Sequence, residues 1–419
     1  MTSIVLRDAA SVIPFVGDGP VRGDAMGAIE VLEGASVAFD GGRVLSVGPT
    51  EDAEIVFDAS GCTVTPGFVD CHTHLPFFGW RADEDAARLA GSSYQALHSE
   101  DKGIYRSARM LAGAPDNDVL EFSQALAAEM LALGTTTFET KSGYGLGVEA
   151  ELRQLRFARA LGERVPQKAV TTCLAAHAVP KGRSEDDWVR EAAEELLPSA
   201  AKEGLCSAVD VYVEAIAFRL EHAARLAEVA DRLGLRMRIH ADQLDDSGAA
   251  SFAAGRGFAS ADHLNHTSLD AVGELASSET VAVLLPGATF TLCQEKRPPA
   301  RSLIESGAIV ALGSDLNPGT SPIRSMPFVI SLACRLYGLR PLEALAAATV
   351  NAAHALGLEA EVGRLAPGYR ADAVVLDAPS FEMAPYRPDH DQVLAVVCGG
   401  KLVHLADGAH QRVKRTPRS

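Results

Sequence analysis

Long apolar runs are missing from this sequence. None approaches the roughly 20 residues that a membrane-spanning helix requires. The first residues, MTSIVLRDAASVIPF, also lack the basic start and long apolar core of a secretion signal. The chain is therefore expected to be a soluble cytoplasmic protein without a membrane partner. Its 47% hydrophobic and 22% charged residues are typical of an ordinary globular protein.

Paired cysteines and an excess of positive charge are missing as well. The seven cysteines are scattered and include no CxxC pair, which predicts reduced thiols rather than a disulfide framework. With 38 basic against 55 acidic residues, the net charge is −17. This balance argues against nucleic acid as a partner. It does not exclude a small anionic substrate, because one buried arginine can bind a carboxylate.

The sequence also lacks the glycine-rich phosphate loops GxGxxG and GxxxxGK[ST], which argues against a doubly wound nucleotide-binding sheet. Residues 66–360 instead alternate helical patterns with eight strand candidates, namely GFVDCH, TTTFETK, AVTTCLAAH, AVDVYVEA, RMRIHA, FASADH, TVAVLLP and IVALGSD. Eight such units predict an α/β fold, a (β/α)8 TIM-like barrel. The β-rich ends, 1–65 and 361–419, predict one small β-sandwich domain built from both termini.

Polar side chains gather at the ends of the predicted strands. His72 and His74 form an HxH pair after the first strand, and alternate residues of a strand share one face. Later strands end at Lys141, His177, Glu214, His240, His263 and Asp315. The carboxyl ends of barrel strands meet at one rim, where active sites of this fold lie. Imidazole and carboxylate ligands at one rim would suit zinc or iron.

Several segments together resemble the imidazolonepropionases of the amidohydrolase superfamily. In chain order they are PGFVDCHTHLPFFGWRADE, TTTFETKSGYGLGVEAELRQLR, AAHAVP, HADQLDDSGAASFAA, SADHL, TVAVLLPGA and GSDLNPGTSP. The tail GRLAPGYRADAVVLD resembles the superfamily's small β domain. The resemblance implies metal-dependent hydrolysis of a cyclic amide, 4-imidazolone-5-propanoate, to N-formimino-L-glutamate in histidine degradation.

The resemblance also implies the site residues. One divalent metal, zinc or iron, would be bound by His72, His74, His240 and Asp315. A second metal would need a bridging lysine or glutamate from strand four, where this chain has Glu214 and no lysine, so one metal is favoured. Asp315 is the implied proton shuttle, and His263 would stabilise the oxyanion or relay a proton. The implied substrate contacts are Arg81, for the carboxylate, with Tyr94, Tyr144, His177, Gln243, Asn317, Gly319 and Thr320.

One loop departs from the family pattern. The family's GGGI stretch is replaced by GSSYQALHSEDKGI, in which only Gly103 and Ile104 survive. A hydrolase of a related five-membered cyclic amide, such as imidazolone-acetate, therefore stays open. A ring deaminase is a second alternative, against which Gln243 argues because an amide cannot titrate. A non-enzymatic scaffold is a third, against which the complete ligand set argues. The oligomeric state is left open, with a homodimer as the commonest assembly.

Overall fold

The computed structural model describes residues 3–50, 53–91 and 102–415. Its strands form two sheets, one of eight strands and one of nine. Their bounds are β1 Ile4–Val12, β2 Leu32–Asp40, β3 Arg43–Gly48, β4 Ile55–Asp58, β5 Thr63–Pro66, β6 Phe68–Asp70, β7 Thr135–Lys141, β8 Lys168–Ala176, β9 Ala208–Val213, β10 Arg236–Ala241, β11 Ser260–His263, β12 Val281–Leu284, β13 Val310–Leu312, β14 Ala373–Leu376, β15 Val393–Cys398, β16 Lys401–Leu405 and β17 Val413–Arg415.

Strands β6 to β13 form the eight-stranded sheet in chain order, and every described pairing within it is parallel. Each overlaps one of the eight segments predicted from the sequence. The first and last strands meet just beyond their ends, where Thr73 forms a parallel bridge with Leu316. At this seam the Asp315 N–H donates to the His72 carbonyl at 2.9 Å. The predicted barrel is confirmed, and the HxH segment itself completes the rim.

Helices follow most barrel strands and cover the barrel. Their bounds are α1 Ala82–Leu89, α2 Gly103–Gly113, α3 Asp116–Ala132, α4 Val148–Arg164, α5 Glu185–Glu191, α6 Leu197–Lys202, α7 Leu220–Leu233, α8 Ala249–Arg256, α9 Leu269–Ala276, α10 Pro286–Thr291, α11 Ala300–Glu305, α12 Met326–Leu336, α13 Pro341–Ala347, α14 Val350–Leu356 and α15 Met383–Tyr386, with a π-helical turn at Ala192–Leu196 and 3-10 turns at Gly23–Met26 and Ala409–Arg412. Helix α7 shows why they form: Ala223, Leu226 and Ala230 recur at helical spacing on its buried face. It ends at Gly234, whose φ of +69° suits glycine.

The nine-stranded sheet combines both ends of the chain. Strand β14 pairs antiparallel with β5, so that Val375 lies opposite Val64. Its core includes Ile4, Phe39 and Val397. The predicted small β domain built from both termini is confirmed, whereas the division at residues 65 and 361 stays a prediction. No helix within the described ranges is both long enough and apolar enough to cross a membrane.

Candidate active site

Two of the four predicted metal ligands are oriented by buried carboxylates. The Nδ1 atom of His72 lies 2.5 Å from Asp262 Oδ2, and the Nδ1 atom of His240 lies 3.1 Å from Asp210 Oδ1. A carboxylate can only accept, so each Nδ1 carries a proton and each Nε2 is the ring nitrogen left for a metal. Such outer carboxylates set the tautomer and direction of metal-binding histidines.

The predicted ligand atoms converge. His72, His74 and His240 offer nitrogen atoms within 4.8 Å of one another, and so do His72, His263 and Asp315 with their nitrogen and oxygen atoms. Asp315 Oδ1 lies 3.2 Å from His74 Nε2. The Nε2 atoms of His72 and His240 and the Oδ2 atom of Asp315 are buried without a hydrogen-bond partner. Buried polar atoms are costly to leave unpaired, so the donor atoms that gather here, which include those of His263 beside the four predicted ligands, suit a divalent cation.

Burial favours the neutral form of three imidazoles in this cluster, those of His72, His74 and His263. It lowers the pKa of His72 and His74 well below the ordinary value, and neighbouring positive groups and imidazoles add to the effect. For His263 burial lowers the pKa to about 3, although Asp315 opposes the shift. Burial conversely raises the pKa of Asp315, with His263 opposing. Neutral imidazoles are the form that binds metals.

Two of these residues have unusual backbone conformations. His263 has a φ of +83° and Asp315 a φ of +56°, in the left-handed region that residues with side chains rarely adopt. Such conformations concentrate at functional sites. At His263 the turn follows Asp262 directly, so that neighbouring residues both reach the centre: Asp262 contacts His72, while the His263 and His240 rings lie 5.3 Å apart.

The pocket above this cluster contains most of the predicted substrate contacts. Its described lining consists of His74, Arg81, Ile104, Tyr144, His177, Tyr212, His240, Gln243, His263, Asp315, Asn317 and Thr320. The His177 Nδ1 atom lies 3.0 Å from the Gly143 carbonyl oxygen, and its ring stacks on that of His74 with the centroids 5.2 Å apart. Tyr144 lies beside both rings, with its centroid 5.3 Å from that of His177 and 6.1 Å from that of His74. Tyr94 lies outside the described residues.

Arg81 enters the pocket from the start of helix α1 and is buried. Its Nη1 atom lies 3.5 Å from Glu84 Oε2, and its Nε atom has no hydrogen-bond partner. The predicted contact residue Gly319 lies directly against it: a Cβ atom at Gly319 would be 1.6 Å from Arg81 Nη2. Gly319 therefore leaves the space that the guanidinium occupies.

The loop after strand β13 is organised by Asn317. Its Oδ1 atom accepts from the Gly319 and Thr320 N–H groups at 2.9 and 2.7 Å. Its Nδ2 atom donates to the Asp315 carbonyl at 2.7 Å and to Thr320 Oγ1 at 2.8 Å. Asn317 thus lines the pocket while its side chain fixes the loop that presents Asp315 and Gly319.

Glu214 and Gln243 form one unit, although only Gln243 lines the pocket. Glu214 Oε1 accepts from the N–H groups of Gln243 at 2.6 Å and Leu244 at 2.9 Å. Burial raises the pKa of Glu214 to about 7, against the lowering effect of these two bonds. Glu214 therefore anchors the turn that contains Gln243. Glu214 belongs to neither of the two groups of possible metal ligands found among the described residues.

Sequence reasoning missed Asp210, Asp262, Tyr212 and Ile104. Asp210 and Tyr212 on strand β9 and Glu214 directly after it follow one another at every second position, so their shared direction was a usable signal. Asp262 lies opposite His240 in the register of strands β10 and β11 and so shares its inward face, whereas the direction of His263 depends on its unusual backbone conformation. For Ile104 the sequence carries no pattern that indicates a pocket residue.

Comparison with known proteins agrees with this site. The amidohydrolase family model matches residues 63–403. The imidazolonepropionase of Symbiobacterium thermophilum is 43% identical over 96% of this chain and 97% of its own length. That of Rubrobacter xylanophilus is also 43% identical, over 96% and 99%. The chain belongs to the imidazolonepropionase family of amidohydrolases.

Solved structures outside the imidazolonepropionases share the fold. A triazine hydrolase from Arthrobacter aurescens has a TM-score of 0.73 at 16% identity, covering 96% of this chain and 94% of that one. An adenosine deaminase from Xanthomonas campestris, solved with bound zinc, has a TM-score of 0.69 at 20% identity, covering 98% and 97%. Identities this low establish the architecture alone.

Proposed function

We propose that this chain hydrolyses 4-imidazolone-5-propanoate to N-formimino-L-glutamate, a reaction of histidine degradation. The observation that carries the proposal is one pocket that combines the buried ligand cluster with the buried Arg81. A cyclic amide with a carboxylate side chain needs both. The two relatives that are 43% identical along their whole length carry the name imidazolonepropionase, which supports the same reaction.

The proposed ligands of one divalent cation, zinc or iron, are His72, His74, His240 and Asp315. When bound, the ion supplies Lewis acidity for the ring carbonyl and a lowered pKa for the attacking water. Three imidazoles and one carboxylate suit both metals.

Asp315 is the proposed proton shuttle. Its Oδ2 atom is buried without a hydrogen-bond partner, and burial raises the pKa of the carboxyl group. A carboxylate with a raised pKa accepts a proton from the attacking water more readily and can return it to the ring nitrogen as the C–N bond breaks. This role needs the Oδ2 atom to face the reacting centre, which the converging ligand atoms support.

His263 is the proposed donor to the developing oxyanion. Because its pKa falls to about 3, the imidazole is neutral near pH 7 and one ring nitrogen carries a proton. Its Nδ1 atom is buried without a partner. A preoriented N–H group in a site that excludes water stabilises negative charge as it develops on the carbonyl oxygen.

Arg81 is the proposed carboxylate anchor, because a guanidinium can form two parallel hydrogen bonds with a carboxylate. The ring and its substituents would lie against Tyr144, His177, Gln243, Asn317, Gly319 and Thr320. Gln243 can orient the ring through its amide, but it cannot exchange a proton. A ring deaminase is therefore the weaker reading.

The test compares substrates that differ in one feature each. Purified, metal-replete enzyme is assayed with imidazolone propionate, imidazolone acetate, and an ethyl-substituted imidazolone without the carboxylate. The expected order of kcat/KM is propionate, then acetate, then the uncharged ring. Higher kcat/KM on the acetate would move the assignment to the related cyclic amide, and ammonia release from an aminated ring would move it to the deaminases.

The remaining proposals concern the setting of the enzyme. We propose a cytoplasmic location, which is supported by free cysteines at all seven positions. The proposed domain bounds are 66–360 for the barrel and 1–65 with 361–419 for the β domain. We also propose a homodimer, as the commonest assembly of soluble enzymes. Size measurement in solution tests the assembly, because a single species of twice 44.1 kDa is expected.

A further inference from the structure

Charged residues fill the barrel interior directly beneath the candidate metal centre. Glu139 and Lys141 lie two positions apart on strand β7, and Arg238 lies two positions before His240 on strand β10. Alternate residues share a face, so these side chains point inward like the ligand. All three are buried. Barrel interiors are usually filled by branched apolar side chains, so this layer calls for a reason.

The charged side chains join the two orienting aspartates into one continuous chain. Starting from Asp262, its Oδ2 atom lies 3.2 Å from Arg238 Nη2, and Arg238 Nη1 lies 3.2 Å from Glu139 Oε1. Glu139 Oε2 lies 2.8 Å from Lys141 Nζ, which lies 2.7 Å from Asp210 Oδ2. Charges alternate at every step. The chain therefore connects the carboxylate behind His72 with the carboxylate behind His240.

We propose that Glu139, Lys141 and Arg238 are positioning residues for the candidate metal centre. They hold the two orienting carboxylates in place and so fix the directions of two histidine Nε2 atoms. The inference rests on the proposed function only in that the centre binds a metal ion. It needs no particular substrate.

Two observations favour this role over mere filling of the interior. Breaking up a buried ion pair leaves an uncompensated charge, whereas apolar side chains of similar volume would often stabilise the fold equally well or better. The chain also ends at functional groups on both sides, since each terminal aspartate contacts a proposed ligand. Thr172 also helps to position Glu139 without adding charge, because its hydroxyl donates to Glu139 Oε1 at 2.5 Å.

The first experiment measures the Zn²⁺ dissociation constant of the full chain by competition with a chromophoric chelator. Glu139→Gln and Lys141→Met each interrupt the chain of ion pairs, the first by removing a negative charge and the second by removing a positive charge. Three carboxylates and two cations give the chain a formal charge of −1, which becomes zero in the first variant and −2 in the second. If the histidines lose their orientation, both variants should bind Zn²⁺ about tenfold more weakly. This is the low end of the effects that residues behind the ligands have on metal affinity.

The direction in which Lys141→Met changes the Zn²⁺ dissociation constant distinguishes a positioning role from an effect of net charge. If the chain acted only through its net charge, this variant would bind Zn²⁺ more tightly while Glu139→Gln would bind it more weakly. That pair of results, or an unchanged constant in both variants, overturns the inference. Weaker binding in both variants supports it.

A second readout reports on ligand geometry. Co²⁺ is loaded into the same proteins, and its visible absorption spectrum depends on the arrangement of the ligands. Both variants are expected to change the band positions or intensities. Glu343→Gln serves as a matched control, because it removes a buried carboxylate that pairs with Arg301 at 2.7 Å outside the described pocket lining. It should lower the unfolding temperature without changing the Co²⁺ spectrum or the Zn²⁺ constant.

Thr172→Val covers the case in which a charge variant does not fold. The change preserves shape and charge and removes only the hydrogen bond to Glu139, so a Zn²⁺ constant weaker by about threefold is expected. An unchanged constant in this variant overturns the inference. Wild-type turnover of imidazolone propionate together with unchanged Zn²⁺ constants would reject this inference alone. Weaker Zn²⁺ binding in the variants of a protein that does not turn over imidazolone propionate would reject only the proposed substrate.

Discussion

Gly319→Ala should impair recognition of the substrate carboxylate without touching the proposed metal ligands. The added Cβ atom would lie 1.6 Å from Arg81 Nη2 and 2.2 Å from Arg81 Cζ. Carbon contacts are comfortable near 3.5–4.0 Å, so the guanidinium or the loop must move by roughly 2 Å. The φ of Gly319 lies outside the left-handed region, so backbone strain is not the cause.

The expected magnitude follows from the lost charged contact. Hydrogen bonds to charged groups contribute about 1.5–3 kcal/mol, which corresponds to a loss of roughly 10- to 150-fold in kcat/KM. The loss should appear mainly in KM for imidazolone propionate. Gly273→Ala is the matched control, because an added Cβ there meets no atom within 4 Å, and it should leave KM unchanged.

A double-mutant cycle tests the reasoning. In an Arg81→Ala background the clash disappears, so Gly319→Ala should have little further effect on kcat/KM. The two changes should therefore be strongly non-additive, as expected for residues in direct contact. Additive losses would refute the claim that Gly319 acts through Arg81.

Three other measurements test separate parts of the account. Asp315→Ala should lower kcat by about 10³-fold or more while circular dichroism stays that of the wild type; turnover near the wild-type rate would refute the proton-shuttle assignment. Chelation should lower the unfolding temperature by several degrees, because a ligand that binds the native state stabilises it, and added Zn²⁺ should restore it; equal temperatures would count against a resident metal. Burial lowers the pKa of His177 in the folded state. Below about pH 6.5 the His177 imidazole therefore takes up a proton in the unfolded state but not in the folded state, and the free energy of unfolding decreases as the pH is lowered. In metal-free His177→Asn the decrease in unfolding free energy between pH 6.5 and 5 should be smaller than in the metal-free wild type, by on the order of 1 kcal/mol per pH unit. Parallel curves of unfolding free energy against pH for the two proteins would contradict this.

The barrel strands could be predicted because burial on both faces gives short, nearly continuous apolar runs. The segment AVDVYV illustrates this, since all six residues of β9 are buried. The ligand cluster could be predicted because the fold places every strand end at one rim. Sequence patterns alone did not supply the single nine-stranded arrangement of the terminal strands, since strand order depends on long-range pairing such as that of β14 with β5.

The supporting residues of the site were harder to predict. Asp210 and Asp262 lie inside predicted strands, where strand alternation shows which residues share a face but not what an acidic side chain on that face contacts. Lys141 lies at the end of a predicted strand, but its ion pairs with Asp210 and Glu139 could not be read from the sequence. The partners themselves emerged only when the strands were placed side by side.

The most direct test of the central claim is a ring-opening assay. Freshly generated imidazolone propionate is added to metal-replete protein and to a chelated sample, and the loss of ring absorbance is followed while the product is identified. Fast, metal-dependent loss with formation of N-formimino-L-glutamate is the predicted result. An intact ring in the presence of protein that holds one metal ion per chain would contradict the proposed substrate.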